Sequence, residues 1–190
     1  MPSDTRARMI AGATRLLAER GLQETSFSEV LALTGAPRGS IYYHFPEGKD
    51  QLVGLAVESA GANAIALFDS MAGQDAVTVA ERFLGVWRTL LTRSNFAIGC
   101  SVLAVTIATD SEPLLDRAGA VFRSWRIRLA ELLQEGGVPP EQAPRLAAAL
   151  IAGSEGAVVL SRAERSIEPF DLVAEQLADD VRAGMGGALR

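Results

Sequence analysis

The residues best suited to chemistry lie close together in the segment 28–49, which reads SEVLALTGAPRGSIYYHFPEGK. A short helical pattern, a tight turn containing Gly35 and a second short helical pattern follow one another, which is the arrangement of a helix-turn-helix. In this motif the second helix enters the major groove of DNA, and its N-terminal side chains meet the duplex first. We therefore predict DNA contacts at Arg38, Gly39 and Ser40.

Each of these three residue types suits contact with a duplex. Arg38 can reach a guanine edge or a phosphate, and Ser40 can form a hydrogen bond with either. Gly39 has no side chain, so the backbone can approach the DNA closely. The N-terminal end of the helix adds its own partial positive charge.

Three aromatic side chains with polar groups follow, at Tyr42, Tyr43 and His44. Because successive residues of a helix point about 100° apart, the three cover more than half of its circumference, and at least one must be exposed. Ile41 and Phe45, four residues apart, are expected to hold the buried face. An exposed tyrosine can lie against deoxyribose and donate to a phosphate, whereas the competing interpretation places Tyr43 and His44 in the core.

Lys49 is the only lysine in the chain and begins the next helical pattern. Its ammonium group is expected to reach a flanking phosphate. The first 50 residues hold six Lys or Arg and six Asp or Glu, and the whole chain carries a net charge of −5. Since this balance supplies no bulk attraction for nucleic acid, any DNA binding must use few, well-placed contacts.

The elements that must position these residues are helical, because apolar residues recur every three or four positions and no long stretch alternates as a strand does. We predict an all-α fold with a three-helix unit carrying the helix-turn-helix at 1–47 and a longer helical domain at 48–190. The predicted helices cover 4–20, a short segment that ends at Gly35, 37–46, 49–71, 76–92, 101–109, 112–135, 140–165 and 168–185.

Composition excludes several classes of protein. With 48% hydrophobic and 22% charged residues in 190, the chain is typical of a globular domain. The single cysteine, Cys100, and the single histidine, His44, exclude internal disulfides and metal sites built from several thiolates or imidazoles. No signal peptide, membrane span, G-x-S-x-G, H-E-x-x-H or Walker motif is recognised. We expect a cytoplasmic protein with no catalytic residue, metal, cofactor or membrane partner.

Over about residues 4–64 the sequence resembles the TetR family of bacterial transcriptional regulators. The resemblance rests on Phe27-Ser28-Glu29-Val30, Thr34-Gly35-Ala36, the run GSIYYHF at 39–45, and Lys49. It implies DNA contacts by Ser26 or Ser28, Arg38, Ser40, Tyr42, Tyr43, His44 and Lys49. It also implies that the remaining chain binds a small effector and dimerises, and that the ligand relieves repression.

A narrower resemblance concerns the LmrA/YxaF-like branch of this family. It rests on the run FPEGKDQL and on Gly99-Cys100-Ser101-Val102. Members of that branch often control drug-efflux or oxidoreductase genes, so the resemblance implies a regulator of such genes.

Large apolar side chains recur at helical spacing after residue 75 and give a candidate lining for the effector pocket. Such a stripe is usually a helical core, and it lines a pocket only where the helices leave a cavity. Glu155 lies in an apolar run; we expect it to face solvent, and the alternative is that it orients a ligand. The candidate pocket residues are Met71, Phe83, Trp87, Leu91, Cys100, Val102, Val105, Phe122, Trp125, Leu129 and Glu155.

The last two predicted helices are candidates for a dimer interface. The penultimate helix is rich in Ala and Gly, so another helix can approach its backbone closely, and the last helix carries an apolar stripe that must be covered. We predict that both pair with their copies in a four-helix interface; packing within the chain is the alternative. The candidate residues are Ala149, Ala152, Gly153, Gly156, Ala157, Val173, Leu177 and Val181.

The function predicted from the sequence is DNA-binding transcriptional regulation by a homodimer. We expect a repressor on a near-palindromic operator, because a dimer sets two recognition helices about 34–36 Å apart. A small apolar or aromatic effector would release the repressor from its operator, with a coupling free energy of about 1–3 kcal/mol between effector binding and DNA binding. The alternatives are a helical-bundle enzyme and a ligand-sequestering or protein-interaction module without operator binding.

Overall fold

The computed structural model describes residues 2–186. Every regular element in that range is an α-helix, which confirms the all-α prediction. The helices are α1 (Pro2–Glu24), α2 (Phe27–Thr34), α3 (Arg38–His44), α4 (Lys49–Asp69), α5 (Ala76–Arg93), α6 (Ser101–Ala108), α7 (Glu112–Glu135), α8 (Ala143–Glu164) and α9 (Glu168–Gly186). Two compact units form, one from the residues up to Asn63 with Cys100–Phe122, the other from Ala64–Gly99 with the residues from Arg123 onward.

Glycine residues in the left-handed region interrupt the helices of the first unit. Gly21 has φ 82° inside α1, so the regular helix ends at Arg20 as the sequence predicts. Gly35 has φ 65° and its N–H donates to the carbonyl of Leu31, which closes α2. Residues with a side chain rarely adopt this conformation, so glycine fixes where each helix stops.

The core of the first unit is a layer of apolar residues from α1, α2, α3 and α4. Met9, Ala13, Leu16 and Leu17 form the buried face of α1, and Val30, Ile41, Phe45, Leu52, Val53, Ala56 and Val57 complete the layer. Thr14 Oγ1 donates to the carbonyl of Ala56 at 3.1 Å and ties α1 to α4. Helix α6 also packs on α1. This layer supports the short helix α3 from one side.

Within the same unit, α4 lies against the start of α7. The side chain of Arg117 crosses Gly54 and forms an ion pair with Glu58. A Cβ built on Gly61 would lie 2.8 Å from Cγ2 of Val121. Small residues on α4 therefore let α7 approach closely.

The second unit is built on α5, α8 and α9. A Cβ built on Gly153 of α8 would lie 2.9 Å from Cδ1 of Leu177 on α9, so these helices pack tightly. Ion pairs at the surface join α5 to α9, with 2.8 Å between Arg88 Nε and Asp171 Oδ1. The carbonyl of Gly136 accepts a hydrogen bond from the N–H of Ala76 at 3.0 Å and fixes the start of α5.

The predicted helices match the observed ones closely, and among the helix starts the largest difference is at α8. This helix begins at Ala143 rather than at residue 140. Pro139 and Pro140 restrict the chain before it, and a turn in which Gln142 N–H donates to the carbonyl of Pro139 precedes the helix. The domain boundary at residue 47 remains a prediction. The predicted domains also include Met1 and residues 187–190, which lie outside the described residues.

Two helices, α4 and α8, are long and apolar enough to cross a membrane, although the sequence analysis recognised no span. The core helices of soluble proteins satisfy the same test. In the most apolar windows of these two helices, 39% and 44% of the residues are already buried within the protein. We attribute their composition to core packing and assign no membrane span.

Candidate nucleic-acid interface

The short helix α3 begins directly after a proline. Pro37 is its N-cap residue with φ −62° and ψ 135°, and its carbonyl accepts both the N–H of Ser40 at 3.0 Å and the Ser40 hydroxyl at 2.6 Å. At the other end the N–H of Phe45 donates to the carbonyl of Ile41 at 2.8 Å. Proline has no N–H to leave unsatisfied at a helix start, so this sequence favours a helix that begins at Arg38.

Helix α3 has one fully buried face and one exposed face. Ile41 and Phe45 are completely buried, as the sequence predicts. Tyr42 is 69% exposed and Tyr43 is 79% exposed. The interpretation that places Tyr43 in the core is therefore wrong. His44 is half-buried, and its ring meets that of Tyr43 edge to face with 5.2 Å between centroids.

Tyr42 is held in position by a residue that the sequence analysis did not assign to the interface. The rings of Phe27 and Tyr42 are 5.6 Å apart at an interplanar angle of 83°, an edge-to-face contact between α2 and α3. A groove of 440 Å³ runs beside them, and it is lined by Phe27, Ser28, Leu31, Ala32, Ala36, Arg38 and Tyr42. Phe27 is the first residue of the motif Phe27-Ser28-Glu29-Val30, on which the family resemblance rests, so the sequence did contain a sign of its role.

The serine residues differ in what their hydroxyls do. Ser26 is the N-cap of α2, and its Oγ accepts the N–H of Glu29 at 3.2 Å. Its Oγ also lies 2.8 Å from Oγ of Ser28, which is exposed. The Ser40 hydroxyl proton is donated to Pro37, so the lone pairs of Ser40 remain for an incoming donor. Ser26 thus shapes α2, and Ser28 stands at the groove.

Arg38 and Gly39 are exposed at the first turn of α3. Lys49 is placed at the first residue of α4, and its Nζ donates to the carbonyl of Leu22 at 2.9 Å. An ammonium group has three donors, so two remain after this bond. The lysine therefore binds a carbonyl near the C-terminal end of α1 and still presents positive charge at the start of α4.

The candidate pocket residues are mostly buried, and they divide between the two units. Cys100, Val102 and Val105 are buried and Phe122 is half-buried in the first unit, where Sγ of Cys100 also accepts the N–H of Leu103 at the start of α6. In the second unit Met71, Phe83, Leu91, Trp125 and Leu129 are buried and Trp87 is half-buried. Phe83 contacts Phe68 edge to face at 5.8 Å.

Glu155 is buried in the second unit with 7% of its surface exposed. The expectation that this carboxylate faces solvent is therefore wrong, because the apolar face of α8 on which it lies is turned into the core. Met71 borders an open groove of 310 Å³ whose other lining residues the sequence analysis did not select. They are Leu67, Arg82, Gly85, Val86, Thr89 and Leu90.

The candidate dimer residues fall into an inner and an outer group. Ala157, Leu177 and Val181 are buried within the chain, and Gly153 packs against Leu177 in the α8–α9 contact. Ala149, Ala152 and Gly156 are exposed on α8, and Val173 is half-buried on α9. Val159 and Leu160 extend the exposed face of α8, at 53% and 49% exposure.

The shifted pKa values belong to ion pairs and a helix cap in the second unit. The hydrogen bond from Arg88 to Asp171 raises the pKa of that arginine, and the hydrogen bond to Asp69 raises the pKa of Arg128. Among residues 2–186 no group of three or more His, Cys, Asp or Glu side chains is placed to hold a metal ion.

The short exposed helix α3, which follows α2 after a tight turn and packs on the core formed with α1, has the arrangement of a helix-turn-helix DNA-binding protein. The family model of the bacterial regulatory proteins of the tetR family matches residues 9–56. The model described as transcriptional regulator LmrA/YxaF-like, C-terminal domain, matches residues 76–176. The chain therefore belongs to the TetR family of bacterial transcriptional regulators, with a C-terminal domain of the LmrA/YxaF-like type.

Similar proteins cover nearly the whole chain. An uncharacterised HTH-type transcriptional regulator of Mycobacterium tuberculosis is 36% identical across 90% of this chain and 91% of the relative. The HTH-type transcriptional regulator YxaF of Bacillus subtilis is 31% identical across 94% and 96%. A TetR transcriptional regulator from Chloroflexus aurantiacus, of known crystal structure, is 32% identical with a TM-score of 0.78 over 95% and 96%. The predicted class, a DNA-binding transcriptional regulator rather than an enzyme, is confirmed.

Proposed function

We propose that this regulator is a homodimeric repressor that binds a near-palindromic operator and is released by a small apolar or aromatic effector. The observation that carries the proposal is the orientation of α3. Its apolar residues are fully buried while Tyr42 and Tyr43 project into solvent. Side chains with a polar tip that are exposed on a rigid short helix can enter a groove without any rearrangement of the core.

In the bound state, α3 lies in the major groove with Arg38 at its leading end. Arg38 contacts a base edge or a phosphate, and the hydroxyls of Tyr42 and Tyr43 donate to phosphates. Lys49 contacts a flanking phosphate with the donors that Leu22 does not use. The exposed side chain of Ser28 joins the same backbone contact from α2.

The dimer uses the outer face of α8. Ala149, Ala152 and Gly156 are exposed there, and the apolar side chains of Val159 and Leu160 continue the face. Exposed apolar surface of this kind is stabilised when a second copy covers it. A two-fold interface places the two recognition helices at half-sites about 34–36 Å apart.

The effector binds in the domain at 48–190 and lowers the fraction of the protein that is in the DNA-binding conformation. The aromatic residues Phe83 and Trp125, which are buried, and Trp87, which is half-buried, supply apolar surface, which favours an apolar or aromatic ligand. We assign the coupling to α4, a continuous helix that begins at Lys49 beside the DNA-binding residues. The functional domains are then 1–47 and 48–190, and the protein acts in the cytoplasm, where the chromosome lies.

The experiment that tests operator binding is selection of a preferred duplex from a random library, followed by mobility-shift titration. We expect a palindromic sequence and, for Tyr43→Ala, a loss of about tenfold in affinity per half-site, the cost of one hydrogen bond to a charged phosphate in each protomer. Ile107→Ala is the matched control, because Ile107 is 76% exposed in the same unit but lies on α6. If the wild-type chain selects no sequence at low salt, the ligand-binding module without operator binding is favoured instead.

The effector is tested by thermal unfolding against a panel of apolar and aromatic compounds. A compound that binds only the native protein at 100 times its Kd raises stability by about 2.7 kcal/mol. Compounds that raise the melting temperature should also release the selected duplex. A compound that stabilises the protein and leaves operator affinity unchanged contradicts the proposed induction.

A further inference from the structure

Most arginines of the first unit are already paired with a carboxylate. Arg8 lies 3.9 Å from Asp4, Arg15 lies 2.8 Å from Glu19, Arg20 lies 2.7 Å from Glu29, and Arg117 pairs with Glu58. In the described part of this unit, the cations outside these pairs are Arg6, Arg38 and Lys49. The carboxylate of each pair cancels part of the charge of its arginine, so the three cations outside these pairs are the ones whose charge is least compensated for phosphates.

Arg6 is placed at the C-terminal end of α3 by an aromatic ring. Its guanidinium carbon lies 5.7 Å from the centroid of Phe45, the buried residue that caps α3. The Phe45 ring is 6.3 Å from that of His44, whose ring in turn meets exposed Tyr43. A guanidinium over an aromatic face is held in place while its N–H groups remain free to donate.

Cations outside these ion pairs stand at both ends of the recognition helix. Arg38 is its first residue, and the guanidinium of Arg6 lies over the ring of Phe45, which caps the other end. Lys49 follows four residues after Phe45, at the start of α4. A helix of seven residues is about 10 Å long, which is close to the ~12 Å width of the major groove. Cations at both ends can therefore meet phosphates that border the groove.

We propose that Arg6 is a phosphate-contacting residue of the DNA interface, held by Phe45 at the C-terminal end of α3. The inference rests on the proposed operator binding and adds a residue from α1 that no motif in the sequence identifies. Its contribution is electrostatic and independent of base sequence, since a phosphate contact carries no sequence information.

The test compares Arg6→Gln with Arg6→Lys in the full-length protein on the selected duplex. Each protomer of the dimer contributes one Arg6, so we expect Arg6→Gln to weaken binding by about three- to tenfold per half-site and to make the slope of log K against log salt shallower by about 1.8, the value for two phosphates. Arg6→Lys keeps the charge and should retain the wild-type slope. Arg15→Gln removes the same charge from a paired arginine of α1 and should leave the slope unchanged.

A duplex with single neutral methylphosphonate linkages then locates the contact. At one position per half-site, neutralisation should weaken the wild-type protein but not Arg6→Gln. If the wild-type protein binds no duplex, the proposed function fails and this inference fails with it. If the wild-type protein binds and Arg6→Gln keeps the full salt slope, with only a lower melting temperature, Arg6 is a folding residue and this inference alone is overturned.

Discussion

At the scale of single residues, Gly39 occupies a position at which the folded chain would accept a side chain. It is exposed in α3, and a Cβ built there meets no atom within 4 Å. Glycine inside a helix costs about 0.5–1 kcal/mol relative to alanine. The fold of the free protein therefore gives no reason for glycine at this position, which supports the proposed close approach of the backbone to DNA.

We predict that Gly39→Ala stabilises the free protein by up to about 1 kcal/mol and weakens operator binding. The added methyl group stands between the helix backbone and the groove. Thermal unfolding and mobility-shift titration measure the two effects separately. Gly85→Ala, at an equally open helical position on α5, should give the stabilisation with unchanged affinity. Wild-type affinity for Gly39→Ala would contradict the proposed role.

At the scale of single residues, the sequence also predicted part of the candidate nucleic-acid interface. The spacing of Ile41 and Phe45 identified the buried face of α3, because helical geometry fixes which residues share a face. The sequence could not decide whether Tyr43 is buried, since an amphipathic ring fits either environment. The stacking of Arg6 on Phe45 joins residues 39 positions apart, and no local pattern encodes such a contact.

At the scale of secondary-structure elements, Asp75 fixes the start of α5. Its carboxylate accepts the Oγ1–H of Thr78 at 2.6 Å and the N–H of Thr78 at 3.0 Å. These hydrogen bonds, the side-chain bond first, hold the pKa of Asp75 below its ordinary value. Because the folded pKa is the lower one, the carboxylate stabilises the fold at neutral pH, and this contribution is lost as the pH falls through the folded value.

We predict that Asp75→Ala lowers the melting temperature at pH 7 and that its difference from wild type shrinks as the solution is acidified below the ordinary range of a carboxyl group. Asp75→Asn keeps a capping oxygen without a titrating group, so it should retain most of the stability at pH 7 and lose the pH dependence. Melting curves of the three proteins across pH measure this. A constant difference between Asp75→Ala and wild type would refute the assignment.

Gly136, which follows α7, packs closely against the start of α5 and leads to a prediction about stability. A Cβ built on Gly136 would lie 2.4 Å from the backbone nitrogen of Ala76, and its φ is not in the left-handed region, so space rather than backbone conformation requires glycine. A backbone atom cannot rotate away as a side chain does. We expect Gly136→Ala to destabilise the protein by about 1–3 kcal/mol, as overpacked sites do. Chemical denaturation measures this, with Gly119→Ala, an open helical position, as the control.

The helices themselves were largely predictable from the sequence. Gly21 ended the regular part of α1, and Gly35 ended α2, at the expected residues, because glycine adopts positive φ without steric cost. The start of α8 was predicted too early, since two prolines can either begin a helix or precede it, and the turn at Pro139 decides between them.

At the scale of the whole molecule, the proposed dimer predicts what happens when one large charged side chain is placed in its interface. Gly156 is exposed on α8 with no atom within 4 Å of a built Cβ, so the monomer should accommodate Gly156→Arg. In a close helix-to-helix interface the two arginines would meet near the two-fold axis, and we expect the variant to be monomeric. Operator affinity should fall steeply, because each half-site is then bound separately.

Sedimentation equilibrium measures the oligomeric state, and Gly119→Arg provides the matched control. Gly119 is also helical, exposed and open, but it lies on α7. The control should dimerise and bind the operator as the wild type does. A dimeric Gly156→Arg protein would show that the interface lies elsewhere.

The sequence by itself determined the all-α fold, the helix-turn-helix and the family, because periodicity, glycine stops and motif spacing act over a few residues. Tertiary structure decided which candidates lie inside and which lie on the surface. Leu177 and Val181 are buried within the chain while Ala149 and Gly156 are exposed, and Glu155 is buried rather than solvated. These residues lie on α8 and α9, and helical periodicity alone does not say which neighbour covers each face of a helix.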